Sequence, residues 1–195
     1  MAGNQAMLDY LLTRRSVTLP FLAEPGPSAA ELKTLLTIAT RVPDHAKLTP
    51  WRLVVYSGED RAAIGAELAR RAAERNPAIS EEMLEKERNQ FLPAPLTVGV
   101  LSKPVENPKA PEMEQLLSAG CVAFNLLNGA FALGYAAHWV TRWFAFDKEA
   151  ATFLGAEEGE QFVGFIHIGT PTAHLGERDR PELEEVVRYW TPPAH

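Results

Sequence analysis

Three short stretches of the chain combine side chains able to do chemistry. The first is Arg14-Arg15-Ser16, which ends a segment that places Met7, Leu8, Leu11 and Leu12 on one helical face. Two guanidinium forks and a hydroxyl are good ligands for a phosphate. Consecutive helical side chains point about 100° apart, so both arginines reach one anion only if the chain leaves the helix there. Val17, Thr18 and Pro20 are consistent with such an exit. The plainer reading is that the arginines complement the negative end of the helix dipole, and on this stretch alone it carries more weight.

The second stretch runs from Arg41 to Trp51. Pro43 and Pro50 pin a loop that carries Arg41, Asp44, His45 and Lys47. Polar loops on a stiff frame are where ligands are held, although a solvated connection with Trp51 in the core explains the residues as well. The third stretch, Ala136 to Arg142, continues into Trp143, Phe144 and Phe146. An aromatic group beside a hydroxyl and a cation suits a planar ligand. The commoner outcome is a strand end with core aromatics.

Other chemistry finds no motif. No glycine-rich dinucleotide fingerprint, P-loop, zinc-protease helix or nucleophile elbow is present. The histidines lack metal-ligand spacing, so no metal site is expected; His138 and His167 fall in predicted strands and read as core or interface groups. A single cysteine, Cys121, excludes an intrachain disulfide and a cysteine-based zinc site. A formal charge of −6 over 195 residues argues against a nucleic-acid footprint, and 46% apolar residues against disorder. The longest apolar stretch, Ala119 to Leu133, is interrupted by Asn125, Asn128 and Gly129 and falls short of the roughly 18 residues of a membrane span. With no signal-peptide pattern, a cytoplasmic protein that engages neither membrane nor nucleic acid is expected.

The elements that must position these stretches can be read in order. Ser28 and Glu31 form a capping box for a helix that runs through Leu32, Leu35, Leu36 and Ala39 and stops before Pro43. Arg52–Ser57 reads as a strand ended by Gly58. Asp60 is placed to cap a helix to about Arg75, and a second charged helix follows Pro77 and runs to Leu92. Leu96 to Leu101, Ala136 to Thr141 and Phe162 to Ile168 read as further strands, with Asp147 capping a short helix between the last two. The helix from Pro111 to Leu133, closed by Gly134, is apolar nearly all round. Such a helix must be buried on every side, which a chain this small achieves by pressing one face on a partner subunit. The terminal run Val186 to Trp190 reads as a strand that pairs within the chain or reaches a second subunit. The expectation is one α+β domain over residues 1–195. Its core is a central, mostly antiparallel sheet of four or five strands flanked by helices.

Taken in order, the motifs resemble the nitroreductase family of FMN-dependent oxidoreductases, in particular its short, minimal bacterial members. The family opens with a helix ending in Arg-Arg-Ser, here Arg14, Arg15 and Ser16. It continues with a loop that closes in Pro-Trp, here Pro50 and Trp51, and the short subgroup's Arg-x-Pro-Asp-His is intact as Arg41, Pro43, Asp44 and His45. A helix with Ser-Ala-Gly-Cys follows at Ser118 to Cys121. Then come a Gly-Tyr-x-x-x-Trp strand, with Gly134, Tyr135 and Trp139, and a closing run from Val163 to Pro171.

The likeness spans about residues 8 to 171. It implies an intertwined homodimer with FMN at the subunit interface and the tail, about 172–195, exchanged with the partner. Arg14, Arg15 and Ser16 would hold the phosphate. Arg41 and His45 would contact the cofactor from the loop, and Trp139, Val140 and Thr141 from the third stretch. The flavin carries the chemistry, so no catalytic side chain is expected. NADH or NADPH would reduce it, and a small nitroaromatic, quinone or related acceptor would then take two electrons. Lys47 and Arg142 are the candidate cations near flavin N1.

Two departures stand out. Thr49 replaces a glutamine common in the family. Val140 stands where relatives often carry arginine, with Arg142 two residues on as the substitute. The charged helices from 60 to 92, with Phe91 at their end, are expected to wall the acceptor pocket. The rival readings are a non-catalytic dimeric flavin- or nucleotide-binding or sensing protein, and an interaction domain without cofactor.

Overall fold

The structure, a computed structural model, describes residues 3–193; Met1, Ala2, Ala194 and His195 lie outside the described residues. The chain divides into two units. One is Ser16–Ala173, and the other joins residues 3–15 with 174–193.

In chain order the first elements are α1 (Gln5–Thr13), β1 (Leu22–Ala23), α2 (Ala29–Ala39) and β2 (Trp51–Ser57). Then come α3 (Asp60–Arg75), α4 (Glu81–Arg88), β3 (Leu96–Ser102) and α5 (Glu112–Ala132). The chain closes with β4 (Ala136–Val140), α6 (Lys148–Phe153), β5 (Gln161–Pro171) and the single turn α7 (Leu183–Val186). The two-residue β1 was not foreseen. It is too short to carry a hydrophobic alternation, and it forms because Leu22 and Ala23 lie opposite Pro171 and Thr170.

Most of the expected start and stop signals act locally. The Ser28 hydroxyl accepts from the Glu31 N–H at 3.3 Å and the Glu31 carboxylate accepts from the Ser28 N–H at 2.8 Å, a complete capping box. The Asp147 carboxylate accepts from the Ala150 N–H at 2.9 Å and starts α6. Gly134, at φ 87°, takes the left-handed conformation that ends α5. Asp60 does not cap α3; it is the first helical residue, and Glu59 before it makes no side-chain cap bond. The second charged helix stops at Arg88, short of Leu92.

All strand pairs are antiparallel. β3 lies between β2 and β5, and β4 and β1 pair with β5. β3 is buried along its whole length, as its central place requires. Alternation along β5 sends Ile166 and Ile168 to one face and Phe165 to the other. The first face packs Leu35 and Ala39 of α2 and Val122, Ala123, Leu126 and Ala130 of α5. The second holds Tyr56, Phe91, Phe144, Phe162 and Phe165, with Phe162 and Phe165 rings 4.5 Å apart. Phe91 is fully buried in that cluster, so it is a core residue and not the pocket wall expected of it.

α5 is long and apolar enough, by length and composition, to cross a membrane, but one face of it is the core of the sheet. Its other face leaves Met113, Leu116, Leu117 and Phe124 exposed. The all-round apolar pattern is therefore half used within this chain. In the terminal unit, α1 starts with the Asn4 side chain accepting from the Met7 N–H at 3.2 Å. Met7, Leu8, Leu11 and Leu12 are exposed, as are Tyr189 and Trp190 in the tail. The run Val186 to Trp190 is not a strand: Val186 ends α7 and the following residues have no regular structure. A strand needs a neighbour's backbone groups, and no strand among the described residues pairs with it.

Candidate functional site

The loop between α2 and β2 is tied to α5 by three polar side chains. Asn125 Nδ2 donates to the carbonyls of Ile38 and Arg41 at 3.2 and 3.1 Å. Ser118 Oγ donates to the Pro43 carbonyl at 2.7 Å and accepts from the Trp51 indole at 3.2 Å. The Glu114 carboxylate lies 2.7 Å from His45 Nδ1. Spacings of four and seven residues put Glu114, Ser118 and Asn125 on one stripe of the helix. Pro43, His45, Leu117 and Cys121 complete the lining of a cavity of about 200 Å³ beside this stripe.

The same loop is strained. Ala46, Lys47 and Thr49 have φ of 60°, 56° and 50°. The left-handed region costs an L-residue about 1–2 kcal/mol, and a β-branched residue such as Thr49 is a marked outlier there. Asp44 offsets part of that cost. Its carboxylate accepts from the Leu48 N–H at 3.0 Å and from the Thr49 N–H at 2.9 Å, and its carbonyl accepts from the Lys47 N–H at 3.2 Å. The turn leaves His45 and Lys47 exposed.

The third stretch is built by a bulge. β3 and β5 slip register between Val100 and Leu101, which leaves Val163 of β5 without an opposite residue. The Val163 carbonyl accepts from the Trp139 indole N–H at 3.3 Å. Gly164 lies under that ring, and a Cβ there would overlap the indole nitrogen. Trp139 packs against the α2–α5 core and Val140 against the aromatic core, so the two side chains take opposite faces of the sheet. Alternation along β4 accounts for that division. Thr141 and Arg142 lie beyond the end of β4 and are exposed. Arg142 continues in an extended conformation, φ −129° and ψ 174°.

Val17 N–H donates to the Ala137 carbonyl at 3.2 Å, which sets Ser16 alongside β4. Arg14 and Arg15 close the terminal unit. The helix ends before them, with Arg14 at ψ 135°, so the exit that a shared anion requires does occur. Arg14 lies against the Tyr10 hydroxyl, whose pKa is raised by burial.

Charge pairing singles out part of this set. In Ser16–Ala173, Arg52, Arg61, Arg70, Arg71, Arg75 and Arg88 are each in an ion pair with a carboxylate. Arg41 and Arg142 are in none among the described residues, and neither is Lys47. Arg142 acts instead on two histidines. Burial first, then the Arg142 charge, hold His138 below its ordinary pKa. His167, opposite it in register, is fully buried and depressed to about 3, by burial above all and then by His138 and Arg142. Thr97 Oγ lies 2.8 Å from His167 Nδ1, while His167 Nε2 and His138 Nδ1 have no hydrogen-bond partner among the described residues.

Sequence reading named the loop but missed what holds it. The polar residues of the α5 stripe were the available signal: Glu114, Ser118 and Asn125 recur at helical spacing in an otherwise apolar helix. Their partners, carbonyl groups far away in sequence, leave no trace in residue types.

The model of the family described as "Nitroreductase family" matches residues 11–170. YdjA of Escherichia coli strain K12, whose assignment as an NAD(P)H nitroreductase is itself provisional, is 34% identical over 164 residues, covering 84% of this chain and 87% of the relative. The solved nitroreductase-like family protein from Bacillus cereus superposes with a TM-score of 0.77 at 20% identity, over 97% of this chain and 98% of its own. NfnB from Sphigopyxis sp. strain HMH, described as an FMN- and NADPH-dependent nitroreductase, has a TM-score of 0.75 at 16% identity, over 94% and 98%. With its α+β sheet topology and the family pattern running through nearly all of it, the chain belongs to the nitroreductase family.

Proposed function

We propose that this chain, an oxidoreductase by its family, binds FMN as a homodimer and uses NADH or NADPH to reduce a small nitroaromatic, quinone or related acceptor in the cytoplasm. The observation that carries the reading is that Arg41 and Arg142 are the two arginines of Ser16–Ala173 without a carboxylate partner among the described residues, while the other six are all ion-paired. Exposed guanidinium groups left without a carboxylate fit an anionic group. The FMN and NADPH dependence of NfnB supports the same choice.

Bound FMN would supply the two-electron hydride chemistry that links the nicotinamide to the second substrate. The protein's part is position and field. Arg14, Arg15 and Ser16 neutralise and hydrogen-bond the phosphate. Arg41 and His45 bind from the loop, and Trp139, Val140 and Thr141 border the ring, Trp139 as a fixed edge held by Val163. Lys47 and Arg142 are the cations that would offset negative charge on the flavin ring. The exposed face of α5, with Leu117 and Phe124, is the seat of the second subunit, and the C-terminal tail from about residue 172, with its exposed Tyr189 and Trp190, is the part exchanged with it.

The test is the visible spectrum of the purified protein under anaerobic conditions, before and after NADPH and NADH. A flavin spectrum bleached by either nucleotide is expected. A protein that ignores added FMN refutes the reading, and a yellow protein that neither nucleotide bleaches is a binding or sensing protein. Replacing either Arg41 or Arg142 with alanine should weaken FMN binding about thirtyfold, since a hydrogen bond to a charged group is worth about 2 kcal/mol.

A further inference from the structure

Asp44 has no assigned role, yet it is the hub of the strained loop. The α5 stripe fixes the loop at Arg41, Pro43 and His45, but nothing on that stripe reaches the left-handed residues beyond. There the Asp44 carboxylate spans the N–H groups of Leu48 and Thr49, across the turn that carries φ values of 60°, 56° and 50°. Strained backbone of this kind persists only where neighbouring groups over-determine it. Both carboxylate oxygens are used within the loop, so Asp44 is committed to the backbone.

We propose that Asp44 is a positioning residue: its carboxylate holds residues 44–49 in the left-handed turn that presents His45 and Lys47 to the cofactor. This rests on the FMN reading for what is presented, but the turn itself can be tested without FMN. If Asp44 acts only by enforcing positive φ, a residue that favours positive φ should replace its effect. Asparagine at position 49 is such a residue, because it visits the left-handed region far more readily than threonine.

The experiment compares the full-length wild type, Asp44→Ala, Asp44→Asn and the double variant Asp44→Ala with Thr49→Asn. Two readouts are taken. One is FMN affinity, with the visible circular dichroism of the bound flavin. The other is the rate at which trypsin cuts the apoprotein after Lys47. Asp44→Ala should weaken FMN binding about tenfold, alter the flavin dichroism and speed cleavage after Lys47 about tenfold. Asp44→Asn, which keeps one acceptor, should fall between, and it stands in if the alanine variant does not fold. The double variant should recover most of both losses.

Wild-type affinity and cleavage in Asp44→Ala would overturn the proposal. So would a double variant as impaired as the single one, since Asp44 would then act by touching the ligand. If the wild type takes up no FMN, the functional reading fails, and the cleavage rates alone still decide the role of Asp44 in the turn.

Discussion

His167 gives this protein a calculable sensitivity to acid. Its ring is fully buried between Phe91, 5.6 Å away edge to face, and the Thr97 hydroxyl, with His138 opposite and the Arg142 charge nearby. In the folded chain it stays neutral down to about pH 3. In the unfolded chain an ordinary histidine takes a proton near pH 6.5. Between those values only the unfolded state binds the proton, so stability is full above about pH 6.5 and falls as the pH falls. The slope approaches about 1.4 kcal/mol per pH unit, and the loss from pH 7 to pH 5 is about 2 kcal/mol for this one ring. Urea unfolding at pH 7, 6 and 5, at one protein concentration, measures it. His167→Gln keeps a partner for Thr97 and removes the titration, while the carboxylates contribute alike to both proteins. The wild type should therefore lose about 2 kcal/mol more than the variant over that range. Equal losses would show that His167 is not held neutral by burial, and the argument from its surroundings would fail.

Three other outcomes are expected. Gly164→Ala should cost about 2 kcal/mol by overpacking and shift the tryptophan emission, because the added methyl displaces the Trp139 indole from its bulge; unchanged emission would contradict the close approach. Glu160→Gln should cost about 2 kcal/mol in denaturant titration, since it removes the charge from the hydrogen bonds between Arg52 and a Glu160 side chain only 1% exposed. The Arg52 hydrogen bond lowers the Glu160 pKa, so that contribution is lost as the pH falls, and the variant's acid limb should be flatter. Leu117→Glu with Phe124→Glu should yield monomers in sedimentation if α5 is the subunit contact; an unaltered mass would place that contact elsewhere.

The sheet and its helices were legible because their signals are local. Ser28 and Glu31 sit three residues apart, Gly134 marks the end of α5, and β3 is a short run rich in Leu and Val, so each can be read from a window of a few residues. Signals failed where the deciding partner is remote. Val186 to Trp190 has the composition of a strand but no neighbour among the described strands, and β1 exists only because β5 passes beside it. Phe91 looked like a pocket residue at the end of a charged helix, and three rings from β2, β5 and the segment after β4 enclose it. Composition records what a residue is, and it was the tertiary neighbour that decided where these residues lie.

The site divides along the same line. Arg41, His45 and Lys47 could be named from one short loop, and so could the aromatic and cationic end of β4. What could not be read is the backbone conformation that aims them. Asp44 in a sequence is one acidic residue among many, and Thr49 gives no warning that it adopts a positive φ. The unpaired state of Arg41 and Arg142 is likewise invisible until every other arginine of the unit has found its carboxylate. A cation is informative only against the pairing of its neighbours, and six paired arginines turn two unpaired ones from a common surface feature into a reason to look for an anion.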